Sequence, residues 1–397
     1  MRKSFKKRVF WGFLLLVFGA AGGWLVEKVV RKTLDRTVGS SVDAILKRAL
    51  DALTKPVDEK MAKARDDTRE YLAKNTVQQV EAKIANNDPE AQYNLANSYY
   101  FSGDYDNALK WYRKAADQGY APAQFNLGVM FNNGYGVAQD YAEAVKWYRK
   151  AADQGDAPAQ FNLGVMFSNG DGVAQDKSEA VRWFRKAAEQ GHKEAQFNLA
   201  WMYSNGEGVA QDKSEAVRWY RKAAEQNNSA ALCDLGDMYR LGLGVDVDYQ
   251  EALKFYHKAE ELGSVAAALN IGSMYSLGMG VDKDIYQAIR WWTKAAENKD
   301  NPSSTAQYNL GNIYYNGRGM PKDYKRAYYW YKKSAENGQV RAQNKLGEMY
   351  SYGEGVKRDY KQALKWYRKA AAQNDAQAQD NIGYAYLYGL GVRKNYS

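Results

Sequence analysis

The chain has one cysteine, two histidines and six prolines among 397 residues. A lone thiol, Cys233, cannot close an intramolecular disulfide, so the fold has to hold without one, and cysteine usage leaves the redox compartment open. His192 and His257 lie far apart in sequence and, with a single cysteine, do not make up the ligand set of an ordinary zinc site. No nucleophile, base and orienting group stand together in a recognisable arrangement, and a catalytic reading needs all three. No catalytic residue, metal or cofactor is therefore assigned. The glycine pairs in G-Y-G, G-D-G, G-E-G and G-L-G never continue into G-x-x-x-x-G-K-S/T, which sets aside a phosphate-binding loop. Scarce proline beside 32 tyrosines, 11 tryptophans and 34 glycines points to helices joined by glycine-based turns.

The net charge is +10, and it is unevenly spread. Nine Lys/Arg and two acids fall in residues 1–36, so seven of the ten excess positive charges sit there. The rest of the chain is nearly balanced and lacks the broad basic footprint that phosphate binding needs, which excludes nucleic acid as a partner. The basic residues flank Val9–Val26, a run of 18 residues without a charge. As a helix it spans about 27 Å, close to the thickness of a hydrocarbon core. Trp11 and Trp24 stand near its ends, where interfacial tryptophans are common. Arg2, Lys3, Lys6, Lys7 and Arg8 precede it and favour an N-terminus in the cytoplasm with the rest outside.

These features divide the first part of the chain into a basic N-terminus (1–8), a single-pass membrane anchor (9–26) and a helical stalk (27–86). A cleaved signal peptide, leaving a secreted protein, is the alternative, because residues 19–22 are all small. Apolar character resumes at Trp24, Leu25 and Val26, which favours the uncleaved anchor. Gly19 and Gly23 form a G-x-x-x-G pair that leaves an anchor-mediated homodimer open; tolerated glycines are the simpler account. In the stalk, Leu46, Leu50, Leu53, Val57, Met61 and Ala64 recur at steps of three and four, with Pro56 as a breaker.

From residue 87 onward the chain repeats itself. Aligned on W-Y-R-K-A-A, the anchoring residues are Trp111, Trp147, Trp183, Trp219, Phe255, Trp291, Trp330 and Trp366, spaced by 36 residues except for one step of 39. A fixed period in this range is the mark of a solenoid. Each unit reads as two helices. The first carries A-Q-F-N-L-G-V-M-F, as in Ala123–Phe131, with a glycine at 128, 164, 236, 272, 311, 347 and 383 and alanine at 96 and 200. Glycine inside a helix costs about 1 kcal/mol against alanine, so its recurrence predicts a partner helix too close to admit a side chain. Glycine loops such as N-N-G-Y-G-V at 132–137 end the first helix. Asp140, Asp176 and Asp212, each followed by a glutamate three residues on, read as capping boxes that open the second helix. Asp176–Gln190 and Asp212–Gln226 differ only at Phe184 versus Tyr220, so these residues serve stacking.

This motif, A-Q-F-N-L-G-V-M-F-x-N-G-x-G-V…D-x-x-x-A-V-x-W-Y-R-K-A-A, resembles the Sel1-like repeat family, a relative of tetratricopeptide repeats, over roughly residues 89–392. The resemblance implies an all-α fold in which antiparallel helix pairs stack into a right-handed superhelical solenoid over 87–397, with eight full units and a partial ninth. The first unit has a shorter loop at 101–106 and looks like a plain tetratricopeptide unit, as suits an end cap. The last stops before its second helix, which either exposes an apolar face or marks a truncated chain. Some relatives carry paired cysteines in each repeat; this chain does not.

The resemblance also implies a function, a non-enzymatic scaffold or adaptor with a protein or peptide partner on a concave face; joined to the anchor at 9–26 and its flanking charges, the expectation is a bacterial inner-membrane protein with the solenoid periplasmic. In tetratricopeptide-like stacks the first helix of each pair lines that face. On this basis the candidate partner-binding residues are Tyr93, Phe125, Val129, Phe161 and Val165, followed by Phe197, Trp201, Arg240, Tyr308 and Asn312. The aromatics among them could equally pack between repeats, and the recurring asparagines could bond either a ligand or a neighbouring helix. An envelope or secreted hydrolase acting on peptidoglycan or β-lactams is the alternative function, disfavoured by the missing cysteine pairs and the lack of a catalytic cluster. Cys233 takes the position of Phe125, as a packing residue or a thiol on the binding face. His257 replaces the arginine of W-Y-R-K and is expected to face solvent.

Overall fold

The computed structural model describes residues 82–394. The expected anchor at 9–26 and most of the stalk lie outside the described residues. The first helices of successive pairs are α1 (Pro89–Phe101), α3 (Ala121–Asn133), α5 (Ala157–Asn169), α7 (Lys193–Asn205), α9 (Ser229–Leu241), α11 (Val265–Leu277), α13 (Ser304–Asn316), α15 (Val340–Tyr352) and α17 (Ala376–Tyr388). The second helices are α2 (Tyr105–Asp117), α4 (Tyr141–Asp153), α6 (Lys177–Glu189), α8 (Lys213–Glu225), α10 (Tyr249–Glu261), α12 (Ile285–Ala296), α14 (Tyr324–Glu336) and α16 (Tyr360–Ala371). The chain forms two compact units. Among the described residues, one holds 82–195 together with 207–209; the other holds 196–206 and 210–394.

Local signals set the helix ends. The second helices open on aspartates: the Asp140 carboxylate accepts from the Glu143 N–H at 2.9 Å, and Asp212 and Asp248 repeat the bond. Only half of the expected capping box forms. Glu143, Glu179 and Glu215 turn forward to Lys146, Arg182 and Arg218 at 2.8, 2.7 and 2.6 Å instead of back to the cap. A cation three residues ahead on the helix outcompetes a single backbone N–H. After α1, which closes on Ser102, the first helices end on left-handed glycines such as Gly134 (φ 71°). Two residues on, Gly136 presses its backbone onto the start of α2; a Cβ there would stand 2.7 Å from the Tyr105 carbonyl carbon.

That the pairs are antiparallel follows from one recurring bond. The N–H of each second-helix cap donates to the last turn of the first helix: Asp140 to the Phe131 carbonyl, Asp176 to Phe167, Asp323 to Tyr314 and Asp359 to Tyr350, all at 2.8–2.9 Å. The loop therefore folds the chain back on itself.

The helix glycines confirm the predicted close approach. A Cβ on Gly128 would meet the Tyr148 ring at 2.5 Å, one on Gly164 the Phe184 ring at 2.7 Å, and one on Gly311 the Tyr331 ring at 2.5 Å. In six pairs the aromatic of the second helix thus lies across the glycine of its first helix, flanked by fully buried alanines such as Ala144 and Ala151. Trp147 and Trp183 are buried as packing residues, with Lys150 and Lys186 each 4.0 Å from the ring centres.

Consecutive pairs are tied by a polar clasp. Gln124 donates to the Ala116 carbonyl at the end of the preceding second helix (3.1 Å) and accepts from Gln154 at the end of its own (2.7 Å). Gln160 with Ala152 and Gln190, and Gln343 with Ala335 and Gln373, repeat it. In the α9–α10 pair both glutamines are gone, and Leu232 and Leu262 stand in their places.

Candidate functional site

The aromatics at the expected binding positions each rest on the second-helix aromatic of their own pair. In the first unit the Tyr93 ring lies 5.8 Å from Tyr112 and 5.4 Å from Tyr120, and Phe125 lies 5.8 Å from Tyr148. Phe161 lies 5.8 Å from Phe184 and is stacked on His192 at 4.7 Å. In the second unit Phe197 lies 5.7 Å from Tyr220, and Tyr308 the same distance from Tyr331. All five are half-buried, as are Val129 and Val165. One side of each ring packs in the pair while the rest stays open, so packing and recognition do not exclude one another at these positions. Trp201, one residue past the helix alanine, is more open, with 40 % of its surface exposed.

The polar candidates are already engaged. Arg240 pairs with Asp237 at 2.6 Å, and the Tyr256 hydroxyl donates to the same carboxylate at 2.8 Å. Asn312 accepts from the Tyr331 hydroxyl at 2.7 Å. The corresponding Asn97 accepts from Tyr112 at 2.5 Å and from Asn126 of the next pair at 3.2 Å. Asn381 similarly donates to Asn344 at 3.1 Å. Recurring asparagines thus bond across neighbouring first helices. Burial holds the hydroxyls of Tyr112, Tyr148, Tyr256 and Tyr331 protonated well above the ordinary tyrosine range, and it pushes Tyr367 up to about 12.

Asp234 is a departure that motif reading passed over. It occupies the position of Asn126 and Asn162, half-buried, where burial raises its carboxyl against a lowering hydrogen bond from Tyr220. The break in the asparagine series was its visible signal. Cys233 beside it is buried, 3.1 Å from the Ser264 hydroxyl, and burial pushes the thiol up, away from an activated thiolate. His192 caps α7 by accepting the Ala195 N–H at 3.3 Å. His257 differs from expectation: it is half-buried, with its ring edge-on to Trp291 at 5.3 Å, because the neighbouring pair covers this part of α10. Among the described residues no group of three or more His, Cys, Asp and Glu is placed to hold a metal ion. Nor is any of these helices long and apolar enough to cross a membrane. The first-helix faces offer half-open aromatics and hydrogen-bonded amides.

Capped helix pairs interlocked through a glycine and an aromatic, at a fixed period, define a protein of the tetratricopeptide-like class. Residues 89–118 match the tetratricopeptide repeat. Eight copies of the Sel1 repeat match at 121–156, 157–192, 193–228, 229–264, 265–300, 304–339, 340–375 and 376–397, so the chain belongs to the Sel1 repeat family. Among solved structures it is similar to c5321, described as a protective antigen of uropathogenic Escherichia coli strains, at 37% identity over 81% of this chain and 77% of that one (TM-score 0.64). A Sel1 repeat protein from Oxalobacter formigenes is similar at 30% identity over 84% of this chain and 99% of that one (TM-score 0.65). No curated protein matches. Sel1-repeat proteins are generally protein-interaction scaffolds.

Proposed function

We propose that this chain is a non-enzymatic scaffold that holds a protein or peptide partner against its first-helix faces, tethered to the bacterial inner membrane through residues 9–26 with the repeats in the periplasm. The observation that carries the reading is that the first helices of each unit bear half-open aromatics, Phe125 and Phe161 in one and Phe197 with the exposed indole of Trp201 in the other. Large aromatic side chains with part of their surface free are the usual anchors of protein interfaces. The membrane tether rests on the uncharged run at 9–26 and the basic residues on both sides of it.

The test is affinity capture with the full chain, comparing wild type with a Phe125→Ala, Phe161→Ala, Trp201→Ala variant. Loss of one reproducible partner from the variant supports the assignment. An unchanged set of bound proteins overturns the first-helix face as the binding surface. N-terminal sequencing of the membrane-fraction protein tests the tether, since a start near Gly22 would mean that the anchor is removed.

A further inference from the structure

The repeats serve as each other's controls, and at one edge the comparison exposes a surface that the fold does not ask for. In the last position of the first helix, α3, α7 and α13 carry Asn133, Asn205 and Asn316. Each donates its side-chain amide at 2.9 Å to the carbonyl four residues back. In the loop that follows, Gln139, Gln175 and Gln211 each donate to a carbonyl of the same last turn at 2.8 Å. The glutamine satisfies a carbonyl that the helix end leaves open, while the asparagine adds a second donor to a carbonyl already in the helix ladder. In α9 the asparagine is Leu241 and the loop glutamine is Val247, and in α11 the asparagine is Leu277; α1, α15 and α17 also end on exposed apolar residues, Phe101, Tyr352 and Tyr388, so what sets α9–α12 apart is leucine in two consecutive pairs with Val247 in the loop between α9 and α10.

None of these replacements is drawn into the core. Leu241, Val247 and Leu277 are 51%, 53% and 64% exposed. Val247 lies against the turn at Gly242, where a Cβ would meet it at 2.9 Å, so it is seated beside Leu241. Tyr249 abuts the next loop at Gly280, and Gln250 hydrogen-bonds the carbonyl there. Tyr286, exposed at 66%, stands where α6 and α8 have Ser178 and Ser214. Two consecutive pairs have thus exchanged amides and hydroxyls that serve the fold for apolar side chains that do not. Exposed apolar clusters of this kind mark interaction sites.

The charges around the cluster indicate what covers it. Where the preceding loops read Ala-Gln-Asp, these read Asp246-Val247-Asp248 and Asp282-Lys283-Asp284. Asp246 and Asp282 are exposed carboxylates where the preceding loops have alanine, beside the caps Asp248 and Asp284 that every pair carries, with Lys283 as the intervening cation. A second copy of the same edge would set carboxylates against carboxylates, and an anionic lipid surface would be repelled.

We propose that the loop edge of α9–α12 docks a peptide segment whose leucine-like side chains are flanked by lysine or arginine. This surface is separate from the first-helix faces. The test uses the full chain and a fluorescein-labelled helical peptide with one leucine face and one lysine face, followed by anisotropy. Two counterparts carry glutamate for lysine or serine for leucine. The Leu241→Asn, Val247→Gln, Leu277→Asn variant installs the residues other repeats use, so the fold should be kept; Tyr286→Ser is a second, independent variant. The expected result is binding of the leucine–lysine peptide, about tenfold or more weaker in the triple variant and weaker for both counterpart peptides. The Phe125→Ala, Phe161→Ala pair should leave it unchanged. Failure of wild type to bind overturns the proposal, as do equal binding by the triple variant and equal binding of the glutamate peptide. Self-association lost in the triple variant would assign the edge to a second copy. Association with phosphatidylcholine vesicles that falls in that variant would assign it to lipid.

Discussion

The second helices α6 and α8 come from stretches that differ at one position, whereas the α9–α12 pairs keep the same period with much of their surface rewritten. Both regions preserve the aspartate cap and the second-helix aromatic, and each lays that aromatic on a glycine or, at Ala200, an alanine of the first helix. They part at the helix-end asparagine, the loop glutamine and the interhelical glutamine clasp. The aspartate caps are kept although most are exposed, because their carboxylates accept an N–H of the first turn. The residues that vary sit where a side chain either bonds a local carbonyl or stands in solvent.

The largest effect should come from forcing a side chain into the contact between helix glycine and aromatic. Gly311→Ala drives a methyl group into the Tyr331 ring and is expected to lose about 1–3 kcal/mol, seen as a lowered melting temperature. Gly383 has nothing within 4 Å of a would-be Cβ, so Gly383→Ala should gain up to about 1 kcal/mol from helix propensity. Equal effects at the two glycines would show that the period, and not the aromatic, selects glycine.

Next comes the clasp. Gln343→Leu removes the side-chain bond to the Ala335 carbonyl and the one from Gln373, each of which keeps a second partner, and should cost about 1 kcal/mol. In the rewritten region Leu232→Gln alone should not stabilise, and adding Leu262→Gln should recover part of the loss in a double-mutant cycle of chemical denaturation.

The buried tyrosines make the whole stack sensitive to alkali. Their protonated forms are favoured in the folded state, so their contribution is fully present below the unfolded tyrosine value of about 10. It is lost as pH rises toward their folded values. Tyrosinate absorbance should therefore appear together with loss of helical circular dichroism.

The smallest effect belongs to His192, whose protonation burial disfavours. Its contribution is present above about pH 6.5 and declines as pH falls below that, through a lowered folded value. Hydrogen exchange at the Ala195 amide should quicken modestly on acidification, and His192→Asn, which mimics Asn228 at the next pair, should remove that dependence.

Much of this was legible in one dimension because the repeat reads itself. The glycine at 128 and its equivalents called for a close neighbour before any neighbour was known, and the aspartates at 140 and 176 marked helix starts. The choice between packing and recognition for Phe125 and Phe161 was not legible, since a ring at helical spacing looks the same in either role. Nor was the bonding of Asn126 to Asn97 across 29 residues, which depends on how one pair lies against the next. The leucines at 241 and 277 were plain in the sequence, yet their exposure was not.

The sequence by itself determined the period, the helix pairing and the family, because those depend on local caps, turns and a spacing repeated along the chain. Only the tertiary structure decided which half of each aromatic is free, that Arg240 is held by Asp237, and that Leu241, Val247 and Leu277 face solvent. Exposure and partnership are properties of what packs alongside, and no spacing along a chain specifies the distance to a neighbour brought in from another repeat.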